Sequence, residues 1–186
     1  ACRVAPPPPA PAHVGLAMLR PILRLGVSTL HDTAQPVDVI TPAIERLIDD
    51  MVETMYAAPG VGLAAPQVGM PLRIFVIDLS LGQQPDGLIT MINPEFVERD
   101  GMQLEEEGCL SIPGFNATVA RPKRAVVKGL NRQGEAHTVE GTGLLARALQ
   151  HEMDHLNGCL FVDRLRGISK DLIVRKVKKL AKAGKW

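Results

Sequence analysis

Between Thr41 and Ala58 the apolar positions recur with the period of an α-helix. Ile44, Leu47, Ile48, Met51, Val52 and Met55 follow the i, i+3, i+4 rule, and Glu45, Asp49, Asp50 and Glu53 take the water-facing side. Thr41 suits the N-cap and Pro42 the first helical position, so the stretch predicts an amphipathic helix. From there to about residue 142 the pattern changes. "LRIFVIDL", "GLITMINPEFVE" and "ATVARPKRAVVKGLNRQGEAHTVEG" are short β-rich runs divided by Gly, Pro and Asn, which predict hairpins and meanders rather than βαβ units. The next segment, "LLARALQHEMDHLNGCLF" over 144–161, reads as a helix that is apolar nearly all round, ended by Asn157 and Gly158. A short strand "LFVD" is expected after it. A last helix is expected from about Ser169, with Leu172, Ile173, Val177 and Leu180 as its apolar stripe. Helices set among such strands give an α+β class: antiparallel β-sheets around one buried helix, with N-terminal and C-terminal helices.

At 186 residues and 46% apolar composition, the chain has the size of one domain with its own core, expected over 18–186. Residues 1–17 are set apart by clustered prolines, which favour polyproline II and offer little to bury, so a disordered tail is expected there. A tag, an extension upstream of Met18 or the remnant of a targeting segment would explain it. The absence of acids before Asp32, with Arg3, Arg20 and Arg24, is similar to an organellar transit peptide, but serines are few and no apolar signal core is present. Lys plus Arg number 21 against 20 Asp plus Glu, so overall charge gives no case for binding DNA. Cys2, Cys109 and Cys159 are too few for a disulfide framework and suit a reducing compartment. No apolar run is long enough to span a membrane.

The chemistry concentrates in the 144–161 helix. At about 100° per residue, Leu144, Ala148, His151 and His155 share one face, Glu152 lies at its far side, and Arg147, Gln150 and Asp154 form a narrow polar stripe. Two imidazoles and a carboxylate on a buried helix need partners. A metal ion supplies them: HExxH sets two histidines one turn apart on the same ion, with the glutamate beside the open coordination position. Such a pattern recurs by chance, so a third ligand has to decide. Downstream, Phe161 replaces the third histidine of the extended metallopeptidase pattern and no Glu follows Glu152, leaving Asp163 and Asp171 as weak candidates. Cys159 reads better as a buried structural cysteine. Upstream, Cys109 stands out among turn residues after three acids.

"GVGLAAPQVG" (60–69), "EEGCLSIPG" (106–114) and "QHEMDHLNG" (150–158) together resemble the three signature motifs of peptide deformylases, in the same order and with similar spacing. The resemblance runs from about Leu23 through the last helix and leaves only the N-terminal tail outside. The EGCLS form is similar to the bacterial type, also found in plastids, more than to the animal mitochondrial one. The resemblance implies a metal-dependent hydrolase that removes the N-formyl group from the N-terminal methionine of new polypeptides. It implies Cys109, His151 and His155 as ligands of one divalent ion, natively Fe(II), with zinc, nickel or cobalt able to replace it. Glu152 would act as acid and base in turn, and Gln67 with the backbone N–H of Leu110 would donate to the formyl oxygen. Val61, Gly62 and Gly108 would line the peptide backbone, and Leu144, Arg147 and Ala148 the methionine pocket.

The partners so implied are N-formyl-methionyl peptides and, through the basic last helix, ribosomal RNA, in a bacterial cytoplasm or alternatively a plastid or mitochondrion. Two other readings compete. An HExxH metallopeptidase would not need Cys109 for its metal, and a ribosome-associated protein without activity would have no use for intact Cys109, Glu152 and Gln67.

Overall fold

The structure, a computed structural model, describes residues 17–186, so the expected Pro-rich tail lies outside the described residues apart from Ala17. The first long helix, α1 (Pro42–Ala57), begins where Thr41 Oγ1 accepts the Ile44 N–H at 3.4 Å. Leu47, Ile48, Met51 and Met55 are buried as its periodicity requires. Asp50 departs from expectation: it is only 6% exposed instead of facing water. An extended strap over residues 18–25 crosses that side of the helix. Asp50 accepts the Met18 N–H at 2.8 Å and Arg20 Nε at 2.9 Å, while Thr54 Oγ1 accepts the Arg20 N–H at 2.9 Å. A helical wheel drawn on α1 alone contains no information about a segment that packs on it from elsewhere.

Seven strands follow: β1 (Gly62–Ala64), β2 (Ile74–Ile77), β3 (Ile89–Asp100), β4 (Gln103–Gly108), β5 (Asn116–Arg121), β6 (Arg124–Leu130) and β7 (Ala136–Thr142). Five form an antiparallel sheet in the order β1-β2-β3-β6-β7, and β4 pairs with β5 in a separate hairpin. The small-residue stretch at 60–69 contains β1 and a 3-10 turn at Ala65–Val68.

Strand β2 shows why the sheet needs a helix on each side. Its side chains alternate: Ile74 and Val76 pack with Met51 and Met55 of α1, whereas Phe75 and Ile77 pack with Leu149 and Met153 of α2 (Gly143–Leu156). Each such side chain, fully buried, stabilises the fold by about 1.5–3 kcal/mol. A continuous apolar run therefore marks a strand covered on both faces. The HExxH segment lies on α2, against the sheet.

A third apolar cluster joins the hairpin to the C-terminal part of the chain. Ile112 and Val119 meet Leu160, Phe161 and Val162, together with Ile173 and Val177 of α3 (Ile168–Lys182). Three expectations are corrected here. Residues "FVDR" form a 3-10 turn at Phe161–Arg164, not a strand, because Asp163 Oδ2 accepts the Leu160 N–H at 3.0 Å and curls the chain. Leu172 is 56% exposed, so the buried stripe of α3 is narrower than its pattern suggested. Cys159 is half-buried rather than fully enclosed. At the end of the chain, Trp186 Nε1 donates to the Leu25 carbonyl at 2.8 Å and closes α3 onto the strap.

Gly158 terminates α2 at φ +70°, and a Cβ there would stand 2.4 Å from the carbonyl oxygen of His31. The helix end and the 3-10 turn at Ser28–His31 can approach only because that atom is missing. Gly158→Ala is expected to destabilise the protein by about 2–4 kcal/mol, read as a lower urea midpoint at unchanged m-value.

Candidate metal centre

Three ligand atoms from two structural units meet at one point. His151 and His155 project from α2, and Cys109 comes from the turn after β4, which the Ile112 N–H closes onto the Cys109 carbonyl at 2.8 Å. Cys109 Sγ lies 3.3 Å from His155 Nε2, and the two Nε2 atoms are 3.2 Å apart. Atoms bound to one tetrahedral ion at ordinary bond lengths stand about 3.4–3.6 Å from each other. The cluster thus has the spacing of a shared ion, and it is the group of three metal-ligand residues found among the described residues. Burial holds the His155 ring well below the usual imidazole range, keeping it neutral with a lone pair to give.

A buried ionic chain fixes this arrangement. Glu107 Oε2 is 3.2 Å from His151 Nδ1, so the other ring nitrogen faces the cluster. Arg121 grips both Glu107 oxygens, through Nε and, at 2.8 Å, through Nη2, and its Nη1 reaches Asp154 Oδ2 at 2.9 Å. Arg164 holds both Asp154 oxygens from the turn after α2. Burial pushes the Glu107 carboxyl up, but hydrogen bonds from Arg121 and His151 outweigh it and bring it down to about 2. Glu107 and Asp154 in turn raise the Arg121 guanidinium above its ordinary value against the effect of burial.

Gln150 and Asp154 are buried, and Gln150 Nε2 donates to the carbonyls of Pro122 at 3.0 Å and Ala146 at 2.8 Å. The polar stripe of α2 therefore faces protein, not water.

A cavity of about 430 Å³ opens beside the cluster. Cys109, His151 and Glu152 reach it, as do Val61, Gly62, Gln67, Gly108 and Leu110. Leu144, Arg147 and Ala148 line it from α2, with Leu144 at its mouth and 53% exposed. Of the expected site residues only His155 does not line it; that ring is 1% exposed, behind His151. Arg147 Nη2 donates to the Glu106 carbonyl and lays the side chain against β4.

Gln67 is held at both ends of its amide. Its Oε1 accepts the Ala64 N–H at 2.9 Å, and its Nε2 donates to Ser111 Oγ at 3.1 Å and stands 3.5 Å from Cys109 Sγ. Glu152 is 3% exposed, and its Oε2 has no hydrogen-bond partner among the described residues. Burial pushes this carboxyl up to about 7, against the lowering effect of His151 and Arg121. Gly62 makes room for it: a Cβ there would lie 2.3 Å from Glu152 Oε1.

The sequence model of polypeptide deformylases matches residues 19–171. The chain belongs to the polypeptide deformylase family. A peptide deformylase of Acidobacterium capsulatum is 45% identical over 169 residues, covering 91% of this chain and 99% of the relative. Among solved structures, a peptide deformylase from Legionella pneumophila superposes with a TM-score of 0.84 at 44% identity, over 89% of this chain and 97% of that one. Another from Synechococcus elongatus, in complex with actinonin, gives a TM-score of 0.81 at 37% identity, over 89% and 95% of the two chains.

The sequence reading did not single out Glu107, Arg121, Asp154 or Ser111 for a role in this deformylase-family site. A signal for Arg121 was present: it stands two residues from Val119 on β5 and so shares its inward face, where a guanidinium demands acids. Its partners are visible only once the hairpin register and α2 are in place. Arg121→Met is expected to destabilise the fold by about 3–5 kcal/mol, because two carboxylates lose their buried partner. Glu107→Ala is expected to weaken metal retention roughly 10–100-fold in a competition with a chelator, with a smaller loss of stability.

Proposed function

We propose that this family member hydrolyses the N-formyl group from the N-terminal methionine of newly made polypeptides, yielding formate and a free amine. The observation that carries the reading is the Glu152 carboxyl, whose Oε2 has no hydrogen-bond partner among the described residues, at the same cavity that Cys109 and His151 line. Cys109, His151 and His155 hold the ion. Thiolate and imidazole donors accept Fe(II), zinc, nickel and cobalt, and Fe(II) is the proposed native ion. When bound, the ion supplies Lewis acidity that makes water nucleophilic at neutral pH.

Glu152, with its carboxyl near neutrality, takes a proton from the attacking water and returns it to the departing amine. Gln67 Nε2 and the Leu110 N–H donate to the formyl oxygen as charge builds there. Gln67 suits this task because Ala64 and Ser111 fix its rotamer, so the donor needs no reorganisation. Val61, Gly62 and Gly108 flank an extended backbone, and Leu144, Arg147 and Ala148 surround the methionine side chain. Residues 18–186 serve this as one domain.

Release of formate from formyl-Met-Ala-Ser, with protein purified without oxygen, tests the reading. Wild type turns over. Glu152→Ala keeps its metal and loses roughly 10²–10⁴-fold in kcat/KM, while Cys109→Ala loses both metal and turnover. Metal-loaded wild type that releases no formate would sink the assignment, and a Cys109→Ala variant that keeps its metal would favour the metallopeptidase.

The basic face of α3 supports a second element of the reading, contact with ribosomal RNA in a bacterial cytoplasm. Arg175, Lys178, Lys179 and Lys182 are exposed there. No helix among the described residues is long and apolar enough to cross a membrane. Ribosome affinity is expected to fall steeply with salt, and to fall again when Lys178, Lys179 and Lys182 become Glu. Binding in a sedimentation assay that is indifferent to both would remove the contact.

A further inference from the structure

A second groove of about 400 Å³ lies beyond the wall of the first cavity. Leu110 and Pro113 line both. On the facing side, Pro59 and Gly60 line the cavity by the metal cluster and the preceding Ala57 and Ala58 line the groove. The same two chain segments thus border both spaces, with Gly60 against the Leu110 side chain between them, and an extended chain that crosses over this contact passes from the first into the second.

The far wall of the groove is the strap, which contributes Arg20 and Arg24, and none of the residues lining the groove is acidic. Arg20 is held in place by Asp50. Arg24 has no carboxylate partner among the described residues; its guanidinium lies 5.7 Å from the centroid of the Trp186 ring, which props it at the rim. The groove is therefore apolar along its floor and positive along one edge.

We propose that this groove receives the residues downstream of the formyl-methionine and favours acidic side chains among them, with Arg24 as the specificity-determining residue and Arg20 as a weaker, already paired contributor. The inference rests on the deformylase reading above. A peptide backbone needs little from the groove beyond space and apolar contact, so residue preference comes from the charged edge. Such contacts at an exposed rim are modest and screened by salt, and they act on binding rather than on the bond-breaking step.

The test compares formyl-Met-Ala-Glu-Glu-Ser with formyl-Met-Ala-Lys-Lys-Ser on the full metal-loaded chain, with formyl-Met-Ala, too short to extend far along the groove, as reference. At low ionic strength the Glu peptide is expected to show roughly three- to ten-fold higher kcat/KM, carried by KM, with the ratio approaching one in about 0.5 M salt. Arg24→Glu inverts the ratio, and Arg24→Gln brings it near one. A flat ratio in wild type that still turns over formyl-Met-Ala overturns this inference and leaves the deformylase reading intact. A preference that survives Arg24→Glu also overturns it. If the preference emerges only when residues 1–16 are removed, the groove belongs to the chain's own upstream segment and the inference fails. No turnover of formyl-Met-Ala itself takes both readings down.

Discussion

Arg121, 1% exposed, lies between Glu107 of β4 and Asp154 of α2; Cys109 follows the first by two residues and His155 the second by one. The thiol and the imidazoles belong to different structural units, a free-standing hairpin and a helix on the main sheet, and this contact joins them beside the cluster of Cys109, His151 and His155. Glu107, Asp154, Arg121 and Arg164 together carry no net charge, which removes much of the penalty for burying any one of them. An apolar set of similar volume can match the ionic set in energy but does not fix the register. A slip of one residue between β4 and β5 would turn Glu107 outward and strand Arg121, so the charged set admits only the pairing in which Glu107 lies opposite Ala117.

The strap performs a similar joining on the other side of the cavity. The Leu23 N–H donates to the Gln67 carbonyl at 2.7 Å, and the Leu25 N–H to the Ser111 carbonyl at 2.9 Å. Two residues apart on one extended segment, these bonds hold the 3-10 turn that carries Gln67 against the turn that carries Cys109, Leu110 and Ser111. The Gln67 to Ser111 hydrogen bond closes the same junction from the inside. Asp50 and Thr54 anchor the strap to α1, and Trp186 ties its end to the C-terminus. The apparent anomaly of a buried acid on an amphipathic helix is thus part of what positions the two proposed donors to the formyl oxygen.

Legibility in the sequence followed how local each signal was. Helix α1 and the HExxH helix were readable because their patterns are carried by more than ten consecutive residues, and the β-rich middle because Gly, Pro and Asn divide it into short apolar runs. The turn at Phe161–Arg164 was misread as a strand because four apolar and polar letters cannot distinguish a strand from a turn capped by its own Asp163. The ligand set is not derivable from spacing, which leaves Asp163, Asp171 and Cys159 as candidates beside Cys109, because Cys109 and His151 stand 42 positions apart in the chain. Asp50, Arg121 and Asp154 escaped for a shared reason. Each is a polar residue whose burial is decided by a partner from a distant segment, and periodicity within one element says only which face a residue takes, not what covers that face.

Two glutamates at one cavity show how far environment sets chemistry. Glu107 and Glu152 both line it, both are at least 94% buried, and both lie near His151. Glu107 receives a guanidinium fork and an imidazole, and it is held ionised at about 2; Glu152 keeps one oxygen without a partner and rises to about 7. A carboxylate held at 2 can orient a ring but is a poor proton carrier near neutral pH, whereas one near 7 exchanges its proton at little cost in either direction. The difference traces to backbone geometry: Arg121 lies on the strand paired with that of Glu107, and Gly62, lacking a side chain, leaves Glu152 space but no donor. In the proposed reaction the orienting and proton-transferring roles therefore go to residues of the same type, and the sheet register and one missing Cβ separate them.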